Sequence, residues 1–171
     1  MKKRYFMLLL AALILVGADQ LVKWWALETL ADGTVINLIP GVFRFAYVEN
    51  RGAAFGILQG QTVFLTVISI AVTAALLYLY RKVPGGKRYW LLHVCYTLIL
   101  AGAVGNQIDR IFRGFVVDMF EFYWFRFPVF NLADCFVVVG GILVFLILAF
   151  RPHLLDSLMG HNQKKEDSQN G

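Results

Sequence analysis

Four stretches of this chain are apolar over about twenty residues each, long enough to cross the roughly 30 Å of bilayer hydrocarbon as a helix. They are residues 5–26, 62–80, 89–108 and 132–150. Backbone that crosses lipid must satisfy its own hydrogen bonds, so the four runs are read as transmembrane helices. The third carries small residues, Ala101-Gly102-Ala103-Val104-Gly105, and the fourth has Gly140-Gly141 near its middle. Small residues of this kind let helices approach closely where lipid supplies no hydrophobic drive between them. Composition fits a membrane body: 59% of the 171 residues are hydrophobic and 16% charged, against about 25% charged in soluble domains. The length suits a single integral membrane domain covering residues 1–171.

Basic residues set the expected orientation. Ten of the 16 Lys and Arg residues precede the first run, fill the loop between the second and third, or follow the fourth. By the positive-inside rule, both termini and that loop are cytoplasmic, and residues 27–61 and 109–131 lie outside. The net charge of +5 is therefore a topology signal, and no nucleic-acid partner is expected. Lys2-Lys3-Arg4, the apolar run and Val16-Gly17-Ala18 also resemble a cleavable signal peptide. The apolar face continues through Leu21, Val22, Trp24, Trp25 and Ala26, however, and losing it would leave the basic loop on the wrong side. The segment is read as a retained span. The polar tail, about residues 154–171, is expected to be disordered and cytoplasmic.

The outer segments are of a different character. Residues 34–39 and 42–48 are β-branched and aromatic runs around Pro40-Gly41, the pattern of a hairpin. Residues 112–130 are dense in aromatics and read as a strand or partial helix at the membrane interface, which Pro128 separates from the fourth span. Cys95 and Cys135 sit in apolar stretches without metal-ligand or disulfide spacing and are read as packing residues. No metal or other cofactor is implied.

Charged groups at a membrane are costly, so each needs a partner or a task. Asp19 and Lys23 are spaced i, i+4 and read as a structural pair. Asn106, Asp109 and Arg110 end the third span, as a mutual pair or as a helix-end polar cluster. Asp134 has a good structural explanation as the reciprocal acid of a capping box with Asn131. Asp118 has no basic residue closer in sequence than Arg113. Both acids fall on the outer side, joined by a segment long enough to run out and fold back. Two carboxyls sharing a site cannot both ionise easily, and one proton kept between them is what aspartic proteolysis needs. A Ser-His pair, a phosphate loop and a metal cluster all lack their residues in the outer segments.

The blocks Asp19-Gln20-Leu21-Val22-Lys23, Glu49-Asn50-Arg51-Gly52-Ala53-Ala54-Phe55, Gly102–Arg110, Val116-Val117-Asp118 and Phe130-Asn131-Leu132-Ala133-Asp134, in this order, resemble lipoprotein signal peptidase (signal peptidase II). The resemblance implies an aspartic endopeptidase of the bacterial cytoplasmic (inner) membrane. Such an enzyme removes the signal peptide of a diacylglyceryl-modified prolipoprotein by cleaving before the lipidated cysteine. It implies Asp118 and Asp134 as the catalytic pair, with Asn50, Gly52, Asn106, Arg110 and Asn131 gripping the substrate or the inhibitor globomycin. Asp19, Lys23 and Asp109 match supporting positions. The expected architecture is a mainly α membrane protein of four transmembrane helices, with a small extracytoplasmic β-sheet cradle and a short aromatic lid segment around Trp124. The expected partners are the lipidated substrate and membrane lipid, and the expected state is a monomer. Arg51 and Cys135 depart from the family's usual residues. The alternatives by class are a proton-coupled transporter and a non-catalytic membrane scaffold.

Overall fold

The computed structural model describes residues 2–52 and 58–151, with side chains from Arg4 onward. The expected disordered tail and the small residues Ala53–Gly56 lie outside the described residues. Four helices account for the four apolar runs: α1 (Lys2–Leu30), α2 (Thr62–Tyr80), α3 (Trp90–Phe112) and α4 (Leu132–Phe150). All four are long and apolar enough to cross a membrane.

Two helices outrun the hydropathy that located them. α1 continues from Ala26 to Leu30, because Ala26 and Leu30 are both fully buried against the sheet. It stops where Gly33, at φ +93°, returns its N–H to the Leu30 carbonyl, the left-handed ending that glycine allows without a Cβ clash. α3 continues past Ile108 to Phe112 and ends before Gly114. The segments that follow α1 and α3 therefore begin at Ala31 and Arg113.

Three antiparallel strands, β1 (Val35–Ile39), β2 (Phe43–Asn50) and β3 (Val116–Phe122), form one sheet in the order β1-β2-β3. Pro40-Gly41 makes the β1–β2 turn, with Gly41 at φ +80° and Val42 N–H donating to the Ile39 carbonyl at 2.9 Å. β3 supplies the outer strand from the aromatic segment, pairing Val48 with Asp118 and Asn50 with Val116. The sheet packs on α1, where Val117, Met119 and Phe45 cluster with Trp25, Ala26 and Leu30.

Glycines set the spacing of α3 against its neighbours. A Cβ on Gly105 would stand 2.6 Å from Asp19 Oδ2, and one on Gly140 would stand 2.7 Å from Ile99 Cγ1. Gly105→Ala must push a buried carboxylate aside, and overpacking of this kind costs roughly 1–3 kcal/mol. Thermal unfolding in detergent should show a lowered midpoint for Gly105→Ala. Gly141→Ala, which meets open space, should melt like the parent.

Candidate active site

Strand β3 and the first turn of α4 bring Asp118 and Asp134 into one polar network. Asp118 is 1% exposed. Its Oδ1 accepts from Asn131 Nδ2 at 2.6 Å and its Oδ2 from Asn50 Nδ2 at 2.9 Å. Burial, and then the negative charge of Asp134, push the Asp118 pKa up to about 7. Asp134 forms the expected capping box: its N–H donates to Asn131 Oδ1 at 3.0 Å, and its Oδ2 accepts from Asn131 N–H at 3.1 Å. Its other oxygen, Oδ1, accepts from Asn106 Nδ2 at 2.7 Å. Asn131 thus contacts both carboxyls, and it also donates to Asn106 Oδ1 at 3.0 Å.

Beneath the two acids lies a buried ion cluster. The three hydrogens of the Lys23 ammonium are taken up by Asp19 at 3.0 Å, Asp109 at 3.0 Å and Asn106 Oδ1 at 2.9 Å. Lys23, Asp19 and Asp109 are all inaccessible to solvent. Asp19 Oδ1 accepts the N–H of Ala133 at 2.9 Å, and Asp109 Oδ2 accepts the N–H of Val117 at 3.0 Å. Those are the residues immediately before Asp134 and Asp118. One lysine on α1 therefore holds two carboxylates, and each carboxylate fixes the backbone that presents one acid.

The turn after β2 roofs the site. Gly52 N–H donates to Asn50 Oδ1 at 3.0 Å, an Asx turn that aims the Asn50 amide at Asp118. Arg110 donates to the Gly52 carbonyl at 3.4 Å and lies within electrostatic reach of both acids. The ten residues named for the site and its support from the sequence are thus brought together in one network of hydrogen bonds and ion pairs. The pairing of Asp109 differs from one of the two expectations. Its cations are Lys23 and Arg113, not Arg110, because successive helix positions face different directions while i and i+4 face together.

Sequence reasoning gave no role to Gln20 or Arg113. Gln20 Nε2 lies 3.2 Å from Asp19 Oδ2, 3.2 Å from Asp109 Oδ1 and 3.1 Å from the Gly105 carbonyl. Arg113 donates to Gln20 Oε1 at 3.1 Å and pairs with Asp109. The i, i+4 spacing of Asp109 and Arg113 was the available signal.

A family model described as Signal peptidase (SPase) II matches residues 11–150. The chain belongs to the signal peptidase II family. The lipoprotein signal peptidase of Streptococcus thermophilus (strain CNRZ 1066) is 44% identical over 139 residues, 81% of this chain and 89% of that protein. The one from Clostridioides difficile (strain 630) is 45% identical over 144 residues, 83% and 94% of the two chains. Among solved structures, a bacterial membrane enzyme determined by the in meso method at 1.9 Å resolution superposes with a TM-score of 0.74 at 33% identity, covering 85% of this chain and 94% of that one. As a signal peptidase II, the chain is a membrane protease of the aspartic type.

Proposed function

We propose that Asp118 and Asp134 are the catalytic pair, acting on a diacylglyceryl-modified prolipoprotein at the outer rim of the bacterial cytoplasmic membrane. The observation that carries this reading is the shared Asn131, hydrogen-bonded to both carboxyls, together with the raised pKa of Asp118. Asp134 sits in the first turn of α4 with a backbone N–H on one oxygen, so its carboxyl faces the positive end of the helix. Asp118, buried beside the Asp134 charge, keeps its proton near neutrality. Asp134 then takes a proton from water, the hydroxide attacks the peptide carbonyl, and Asp118 polarises the carbonyl oxygen and passes its proton on toward the leaving amine. Asn50, Gly52, Asn106, Arg110 and Asn131 line the place where the substrate backbone lies.

Basic residues flanking the spans support cytoplasmic termini and an outward-facing site. The signal peptide, itself an apolar helix, enters laterally, and the lipid chains stay in the bilayer beside one monomeric body formed by the whole chain. Purified protein in detergent should cleave a lipidated prolipoprotein and leave the unlipidated precursor intact. Protein that cleaves neither, yet moves protons in vesicles, is a transporter and defeats this reading.

The pH profile carries a signed expectation. The reaction needs Asp118 protonated, so activity should fall as pH rises through about 7. The hydrogen bond from Asn50 favours the ionised form of Asp118. Asn50→Ala should therefore move the alkaline limb to higher pH while lowering the rate overall, read from initial rates across pH 5–9.

A further inference from the structure

Exposed apolar side chains on four transmembrane helices face lipid, but those of the outer sheet need another account. The β1–β2 turn exposes Leu38, Ile39 and Val42, and the turn after β3 exposes Trp124, at 65%, with Phe125 and Phe127. These two turns are one body. Gly41 N–H donates to the Tyr123 hydroxyl, and Tyr123 N–H donates to the Val42 carbonyl at 3.1 Å. The rings of Trp124 and Phe125 meet at 4.7 Å and those of Phe122 and Phe125 stack at 6.1 Å. These bonds and ring contacts tie the segment around Trp124 to the sheet. Its strand end at Phe122 lies four residues, about 13 Å, from Asp118.

An open groove of about 820 Å³ runs along this tip, walled by Arg44, Glu121, Arg126 and the aromatic turn. Arg44 grips Glu121 at 2.7 and 3.1 Å and lies over the Tyr123 ring at 4.7 Å. That pair is neutral, so the charge of the groove is that of Arg126, which is exposed and makes no ion pair among the described residues. The tip is also fixed in depth. The Phe130 carbonyl accepts from Met119 at 3.0 Å and from Phe120 at 2.8 Å, and Phe130 adjoins Asn131, the N-cap of α4. A sheet fastened to the mouth of a span stands at headgroup level, where tryptophan rings sit and long basic side chains can reach the interface.

We propose that this tip docks an anionic phospholipid of the outer leaflet, with Arg126 holding the phosphate and Trp124 and Phe127 against the glycerol and upper acyl carbons. The inference rests on the outward placement proposed above. The guanidinium plane suits a phosphate by two parallel hydrogen bonds, and the flanking rings supply the apolar half of the contact. A second copy of the chain fits less well, since a twofold self-contact centred on this patch would set Arg126 against Arg126.

The test uses the full chain in phosphatidylcholine nanodiscs doped with phosphatidylglycerol, released into neutral detergent, with retained phosphatidylglycerol counted by native mass spectrometry. Arg126→Gln should lower retention roughly fivefold, the worth of one basic residue at an anionic surface. Arg126→Lys, which keeps the charge but loses the paired hydrogen bonds, should fall between the two, and Trp124→Leu should weaken retention independently, which decides the matter if Arg126→Gln does not fold. Equal retention by the wild type and both weakening variants overturns the proposal, as does displacement of the lipid by inorganic phosphate, or a wild-type dimer that Arg126→Gln dissolves. Prolipoprotein cleavage in undoped discs reports on the two acids instead, so the two readings fail separately.

Discussion

Replacing Asp118 by Asn is expected to slow prolipoprotein cleavage by roughly 10²–10⁴-fold, the range that a lost acid–base group commands, without harming the fold. The shape is conserved, and the amide reproduces the neutral form that the site already prefers, since burial and the Asp134 charge raise the Asp118 pKa to about 7. The sign for stability follows. A carboxyl whose folded pKa is raised loses stability for the native state as pH climbs from its unfolded value near 4 toward 7. The Asp118→Asn protein should therefore melt with the parent at pH 4 and above it at pH 8. Asp134→Asn should cost a similar factor in rate, but its stability should not gain, because its carboxylate closes the capping box and accepts from Asn106. Single-turnover rates and melting curves of the two variants across that pH span check both claims. Cleavage at the parental rate by either variant removes that acid from the chemistry.

Hydropathy located every span, yet it measures where lipid can be tolerated and not where a helix ends. α1 and α3 run on to Leu30 and Phe112 because glycines at 33 and 114, both at positive φ, mark the actual stops. Those glycines stand in the sequence, but a hydropathy run does not register them. The hairpin around Pro40-Gly41 was legible because its turn chemistry is local. The aromatic segment read as a strand or partial helix, but its place in the sheet was not legible, since Asn50 meets Asp118 across 68 residues and no local pattern encodes that register. The site divides the same way. Asp19–Lys23 and the Asn131–Asp134 cap follow from i, i+4 and i, i+3 spacing, whereas the reach of Lys23 to Asp109 exists only once α1 and α3 are packed. The roles expected of Asn50, Asn106 and Arg110 came from family resemblance, because an asparagine carries no sequence signal of what its amide will face.

Lys23→Met should be the most damaging single change to stability, costing roughly 3–5 kcal/mol, as breaking a buried ion pair from one side does. The thioether matches the volume but leaves Asp19 and Asp109, both wholly buried, without their common cation. Asp109 keeps Arg113, while among the described residues Asp19 keeps only the Gln20 amide and the Ala133 N–H. The uncompensated carboxylate at Asp19 is therefore the main source of the loss. Lys23→Met combined with Asp19→Asn should recover much of the melting temperature, since the amide removes the orphan charge and still accepts from Ala133. Rate and stability should then separate. With Asp109 no longer braced by Lys23, its hold on the Val117 N–H slackens, and Asp118 loses its fixed distance from the carboxyl it must work against. The double variant should fold well and turn over slowly, with kcat falling more than KM rises, because near-attack geometry is lost while the binding surfaces persist. A double variant as active as the parent would reduce the lysine cluster to a structural prop; a single variant that melts like the parent would show that the cluster holds nothing at all.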